Sequence, residues 1–190
     1  MKKHIAIFAS GTGSNAKNMI HYFKHHPWIS VSLVVSNKPG APVLDIAREN
    51  DIPTLVIDRE YFYQSEDILK KINEYLIDFV VLAGFLWLVP AYLVKACERR
   101  MVNIHPALLP KYGGKGMYGM KVHEAVCRAG ESETGITIHF VNEQYDEGDV
   151  VFQAKCQVGP GDTPETVAQK VLQLEHRYFP AVIEKLILAS

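Results

Sequence analysis

Cysteine is scarce in this chain, and neither sign of charge is in excess. Three cysteines, Cys97, Cys127 and Cys156, are scattered through 190 residues without a Cys-x-x-Cys pair. An odd, dispersed set excludes a disulfide framework and fits a reduced, cytoplasmic setting. Lys and Arg number 20 against 21 Asp and Glu, a net charge of −1. That balance, with no basic run, argues against a nucleic-acid surface. No apolar stretch reaches the roughly 20 residues of a membrane span, and the longest, Phe79 to Pro90, is broken by Gly84. Lys2-Lys3 leads into an apolar run that Ser10-Gly11 ends too soon for a secretory signal. Repeats, low-complexity segments and linkers are missing as well. What is present is an ordinary globular composition, 48% hydrophobic, at a length that suits one domain over residues 1–190.

Within it, short β-rich runs alternate with helical ones. "HIAIFAS" reads as a strand, and the following helix carries Ala16, Met19, Ile20 and Phe23 at helical spacing, bounded by Pro27. "VSLVVS" and "TLVI" are further strands, separated by a short helix over 42–50. A helix over 65–76 should turn Ile68, Leu69, Ile72, Tyr75 and Leu76 inward. "FVVLAGF" is apolar throughout, as in a strand buried on both faces of a parallel sheet. A short helix over 90–97 leads to "RMVNIH". The pattern to this point predicts an α/β fold with a doubly wound, Rossmann-like, mostly parallel sheet. A helix over 121–129 follows, and then "TGITIHFV" and "VVFQAKCQV", joined by "NEQYDEGD", which should add antiparallel strands and make the sheet mixed. A long helix closes the chain, with Thr163 as N-cap, Pro164 in its first turn and Val167, Val171, Leu174 and Tyr178 as its stripe. Pro180 should kink or break it.

Three places have the makings of a site. "SGTGSNAKN" follows the first strand, and its glycines and helix start suit an anion. It satisfies G-x-G-x-x-[GA], but the second strand ends in Ser36-Asn37-Lys38 rather than the acidic residue a dinucleotide ribose needs. A single phosphate on Gly13, Ser14 and Asn15 is the better reading, with a mere strand-to-helix turn as the plain alternative. Asn103 and His105 lie two apart in a strand, so both can face one spot, where amide and imidazole would stabilise an oxyanion. Taken alone, His105 could be a satisfied polar residue. The carboxyl end of a parallel strand, however, is where open α/β sheets bind ligands, and Pro106 and Pro110 stiffen the exit. The acidic loop offers Glu143, Asp146, Glu147 and Asp149. A carboxylate facing His105 would favour its cationic form, and spacing does not choose which. "HEAVC" sets His123 and Cys127 one helical turn apart without the second histidine of a zinc motif. No cysteine is placed to meet a histidine as a nucleophile.

Read in order, "SGTGSN", "VVLAGF", "NIHPALLPKY", "HFV…DEGDVVFQ" and "LEHRYFP" closely resemble the phosphoribosylglycinamide formyltransferase family, folate-dependent enzymes of purine biosynthesis within the formyl-folate transferase superfamily. The resemblance spans essentially the whole chain. It implies that Asn103 and His105 polarise the formyl carbonyl of the co-substrate 10-formyltetrahydrofolate, and that Asp146 keeps His105 protonated and helps move protons through water. It implies that Gly13, Ser14 and Asn15 take the substrate phosphate and Glu175 the ribose hydroxyls. The pterin would lie between Phe85, Leu86, Trp87, Leu88 and Val89 on one side and Asn142, Glu143, Gln144, Tyr145 and Asp146 on the other, next to Asn103. Small molecules are the implied partners; metal, nucleic acid and membrane are not, and the oligomeric state is not legible.

Two departures stand out. Family members often carry Met-Arg after Gly-Phe, whereas this chain has Leu86-Trp87, and "KYGGKGMYGM" is longer and richer in glycine than the family pattern. Two relatives in the superfamily are rivals. A methionyl-tRNA formyltransferase would need a further carboxyl-terminal RNA-binding domain, and a formyltetrahydrofolate hydrolase an amino-terminal regulatory one. A silent nucleotide-binding module, the rival of another class, would bind without turnover.

Overall fold

The computed structural model describes residues 2–189. The strands β1 (Lys3–Phe8), β2 (Ile29–Ser36), β3 (Thr54–Val56), β4 (Phe79–Leu82), β5 (Met101–His105), β6 (Glu133–Phe140) and β7 (Val150–Gln157) form one sheet in the order β3-β2-β1-β4-β5-β6-β7. Pairing is parallel from β3 through β5 and antiparallel for β5–β6 and β6–β7. The helices are α1 (Ser14–Phe23), α2 (Pro42–Arg48), α3 (Arg59–Tyr63), α4 (Asp67–Glu74), α5 (Ala91–Ala96), α6 (Met120–Arg128) and α7 (Pro164–Leu188).

The period of two along the strands divides the core between the two faces of the sheet. Ile5 and Ile7 of the first strand, with Ala9 just beyond it, join Met19, Val43 and Phe179 on the face covered by α1, α2 and α7. Ala6 and Phe8 join Phe62, Ile68 and Leu93 on the face covered by α3, α4 and α5. β4 is buried along its whole length, as its unbroken apolar run requires.

Three features differ from the sequence expectation. A separate short helix, α3, precedes α4. Asp58 starts it by accepting the Tyr61 N–H at 2.8 Å. Leu76 is 70% exposed instead of inward, because the chain leaves α4 through a left-handed residue there, φ 52°, while Tyr75 stays half-buried. Pro180 neither breaks nor ends α7, which continues to Leu188. A proline deprives the carbonyl four residues earlier of its donor. Here that carbonyl, on His176, accepts the Asn18 side-chain amide at 2.8 Å. The buried stripe of α7 also steps by four through Val167, Val171, Glu175, Phe179, Ile183 and Ile187. Leu174 and Tyr178 are half-buried at its margin, so the centre of the stripe is a carboxylate.

Candidate functional site

Strand order reverses between β1 and β4, and the loops leaving β1, β4 and β5 meet at that switch point. They enclose a cavity of about 950 Å³. On one side lies the turn from β1 into α1. Gly13 adopts a left-handed conformation, φ 77°, and a Cβ there would stand 2.7 Å from the Val43 side chain, so only glycine fits. Ser10, 2% exposed, ties this turn to the next. Its N–H donates to the Gly84 carbonyl at 3.1 Å and its hydroxyl accepts the Leu86 N–H at 2.9 Å.

Asn15 and Glu175, 160 residues apart, are joined by a 2.7 Å hydrogen bond from Asn15 Nδ2 to Glu175 Oε2. Burial pushes the Glu175 carboxyl above its ordinary pKa, and the Asn15 amide opposes this. Asn15 Oδ1 is buried without a partner. Both residues line the cavity, as do Gly13, Ser14 and the exposed Lys38.

Across the cavity, β5 presents Asn103 and His105. Asn103 Nδ2 lies 3.3 Å from Asp146 Oδ1 and 3.1 Å from His139 Nε2. His105, 3% exposed, donates Nε2–H to the Tyr112 carbonyl at 2.7 Å, and its Nδ1 faces Asp146 Oδ2 at 3.4 Å. Gly114 N–H donates to the same carboxylate oxygen at 3.0 Å. Tyr112 and Asp146, the two residues that frame the imidazole, both have positive φ, 57° and 59°. Non-glycine residues held in that region cluster at functional sites.

The electrostatics correct one expectation. Burial lowers the His105 pKa more than Asp146 and the Tyr112 carbonyl raise it, so the imidazole is held below its ordinary value rather than above. Burial also works against the Asp146 carboxylate. Here, though, His139, His105 and the Gly114 N–H outweigh it and keep the group below the usual carboxylate range. At neutral pH the pair is a carboxylate beside a neutral imidazole.

The segments 84–89 and 142–146 face each other across the cavity, with Phe85 to Val89 on one wall and Asn142, Gln144, Tyr145 and Asp146 on the other. Glu143 does not line it and is exposed. The glycine-rich segment 113–119 closes a further side through Gly114, Lys115, Met117 and Tyr118, so it is part of the site.

Four more residues belong to the arrangement that sequence reasoning did not assign to it, His123 having been weighed there only as a zinc ligand. His139, 2% exposed, pairs in register with Asn103, a signal that alternation along β6 carried once the strands were known to be neighbours. Thr137 latches the turn after His105, donating to the Ala107 carbonyl at 2.7 Å and accepting the Leu109 N–H at 3.0 Å. Ser10 and His123 complete the set; His123 is buried in the cavity wall, where burial and then His105 lower its pKa. Among the described residues no group of three or more His, Cys, Asp or Glu could hold a metal ion, and no helix is long and apolar enough to cross a membrane.

Residues 3–183 match the formyl transferase family. The chain is 42% identical over 189 residues to the phosphoribosylglycinamide formyltransferase of Arabidopsis thaliana, named as chloroplastic; the match covers 96% of this chain and 64% of that one. With the corresponding protein of Vigna unguiculata the identity is 40% and the share of that protein 61%, so the chain spans less than two thirds of these plant relatives. The phosphoribosylglycinamide formyltransferase of Bacillus subtilis is 32% identical over 97% of this chain and 95% of its own length. A solved phosphoribosylglycinamide formyltransferase from Bacillus halodurans superposes with a TM-score of 0.87 at 38% identity, covering 97% of this chain and 95% of that one.

Proposed function

The chain belongs to the formyl transferase family, and from that premise we propose that it transfers the formyl group of 10-formyltetrahydrofolate to the glycyl amine of phosphoribosylglycinamide, a step of purine biosynthesis, with residues 1–190 acting as one formyltransferase domain. The observation that carries this reading is the convergence on one cavity of the Asn103–His105–Asp146 network and the Asn15–Glu175 pair. The pair and the α1 N-terminus suit a phosphoribosyl end: N–H groups of Gly13, Ser14 and Asn15 for the phosphate, and the Glu175 carboxylate for the ribose hydroxyls. The two facing walls suit a flat pterin, with Glu143 outside the contact.

The chemistry then follows. The neutral amine attacks the formyl carbon, and negative charge grows on the formyl oxygen. Asn103 Nδ2–H and the His105 N–H are the donors for that charge, each worth about 3 kcal/mol of barrier in comparable sites. Both are engaged by internal acceptors in the protein, so the formyl oxygen takes up its hydrogen bonds by exchange. The attacking nitrogen, now cationic, gives up a proton. N10 of the folate gains one as the C–N10 bond breaks, leaving tetrahydrofolate and the formylated amide. Asp146, held as a carboxylate, is the base nearest this exchange, and a water relays the proton. No metal enters this scheme. A cytoplasmic setting is supported by three free cysteines.

The test mixes the protein with a 10-formyl folate, with and without phosphoribosylglycinamide, and follows the absorbance of the deformylated folate. Release that depends on the acceptor supports the transferase. Release without it would point to a hydrolase, and binding without release to a silent module.

A further inference from the structure

One row of directly opposed residues crosses β5, β6 and β7, and it starts at His105. His105 pairs in register with Thr137, and Thr137 with Gln153. Opposed residues of antiparallel strands project from the same face of the sheet, so the row runs from the cavity edge to the outermost strand. Thr137 is fully buried and Gln153 exposed, and neither lines the cavity. From alternation along β7 alone, Gln153 reads as a solvent-facing polar residue of an edge strand.

Its amide is nevertheless turned inward along the row. Gln153 Nε2 donates to the Thr137 hydroxyl at 2.9 Å and to the Leu109 carbonyl at 3.1 Å, so both of its N–H bonds are committed. The Leu109 carbonyl only accepts, which fixes the nitrogen end of the amide on that side. Thr137 Oγ1 also takes the Leu109 N–H at 3.0 Å. With two N–H donors on that oxygen, its single proton goes to the Ala107 carbonyl, 2.7 Å away. The turn after His105 contains Pro106 and Pro110, which bring no N–H of their own. The Ala107 carbonyl and both backbone groups of Leu109 are instead satisfied by two side chains of the row. The chain then reaches Tyr112, whose carbonyl accepts the His105 Nε2–H at 2.7 Å. Turn and imidazole thus form a closed loop, and Gln153 is the outer jaw of its clamp.

We propose that Gln153 is a positioning residue for His105: by clamping Leu109 and Thr137 it holds the 106–112 segment so that the Tyr112 carbonyl stays on the imidazole. This rests on the donor role of His105 in formyl transfer. A residue two strands away and outside the cavity then sets the orientation of the ring that faces the formyl oxygen. The clamp requires a hydrogen-bond donor at position 153, since both oxygens it meets are already accepting there. Length or bulk without an N–H does not serve.

Three variants of the intact chain separate these demands. Gln153→Leu and Gln153→Glu both lack the N–H pair, the second at nearly native size, whereas Gln153→Lys offers ammonium donors to the same two oxygens. In the first two, kcat for formyl transfer should fall roughly ten- to hundredfold, the scale of a misplacement of about 1 Å, with KM for either substrate little changed. The third should recover most of that loss. Nitrogen NMR of the unliganded proteins reads the clamp without turnover. The His105 Nε2–H, assigned by its absence in His105→Ala, should exchange with solvent faster in the first two variants and stay protected in the third. Native kcat and native exchange in all three overturn the proposal, and so does an equal loss in all three, which would make position 153 a matter of packing. Failure of the transferase reading shows differently, as no formyl transfer by the unsubstituted protein, and the proposal falls with it.

Discussion

His105 is held from three sides by groups that come from different parts of the chain: the Tyr112 carbonyl, the Asp146 carboxylate and, through Asp146, the Gly114 N–H. Burial dominates its titration, and Asp146 works against burial. Replacing Asp146 by Asn removes the charge that lifts the imidazole. The pKa reporting His105 should then fall further, and the limb of the kcat profile that tracks it should move to lower pH. A pH–rate profile of Asp146→Asn checks this; an unmoved limb would disprove the pairing. Glu175 titrates in the opposite sense. Its native pKa is raised above the ordinary 4.5, so its contribution to stability is fully present below that value and is lost as pH rises through the native one. At neutral pH the buried carboxylate is thus a cost that ligand binding would offset. Glu175→Gln should raise the melting temperature of the unliganded protein near pH 7 and raise KM for phosphoribosylglycinamide, an exchange typical of functional sites. A lower melting temperature would argue that the charge is not destabilising.

At the scale of elements, α7 shows why a local rule failed. Pro180 reads as a kink or a break because it removes one hydrogen bond from the helix; the helix does not break, and Asn18 on α1 supplies the missing donor to the His176 carbonyl. No window of sequence around residue 180 contains that information, since the partner is 162 positions away from the proline. Asn18→Ala should destabilise the protein by about 1–2 kcal/mol through a buried unpaired carbonyl. In that background Pro180→Ala, which restores an N–H, should cost less than it does alone. Denaturant unfolding of the four proteins of this cycle measures the coupling; strict additivity would mean that Asn18 does not serve the carbonyl. Leu76 failed for a related reason, since a helix stripe can be counted from spacing while the left-handed residue that ends it cannot. The strands, the mixed sheet and the capping of α7 by Thr163 were legible, because period-two burial and cap chemistry are local. His139 and Thr137 were not, because their roles depend on which strand neighbours β5.

Over the whole molecule, the sheet does one thing for function: it brings the ends of β1, β4 and β5 to one switch point and lets β6 and α7 deliver His139 and Glu175 to the same cavity. Asn103 and His105 were recognisable from their spacing, and Asp146 could be chosen from its acidic loop only through the family resemblance. The sense of the His105 shift was not recognisable, because it is a balance between burial and a neighbouring charge that exists only in the fold. The central claim is that this imidazole and the Asn103 amide stabilise the charge formed when a formyl carbonyl is attacked. Its most direct test is the transfer of a labelled formyl group from 10-formyltetrahydrofolate to phosphoribosylglycinamide by the protein and by His105→Ala, with donor affinity measured in parallel. A fall in kcat of roughly 10²–10³ with donor binding little changed is expected. Turnover at the unsubstituted rate, or a loss confined to donor binding, would contradict it.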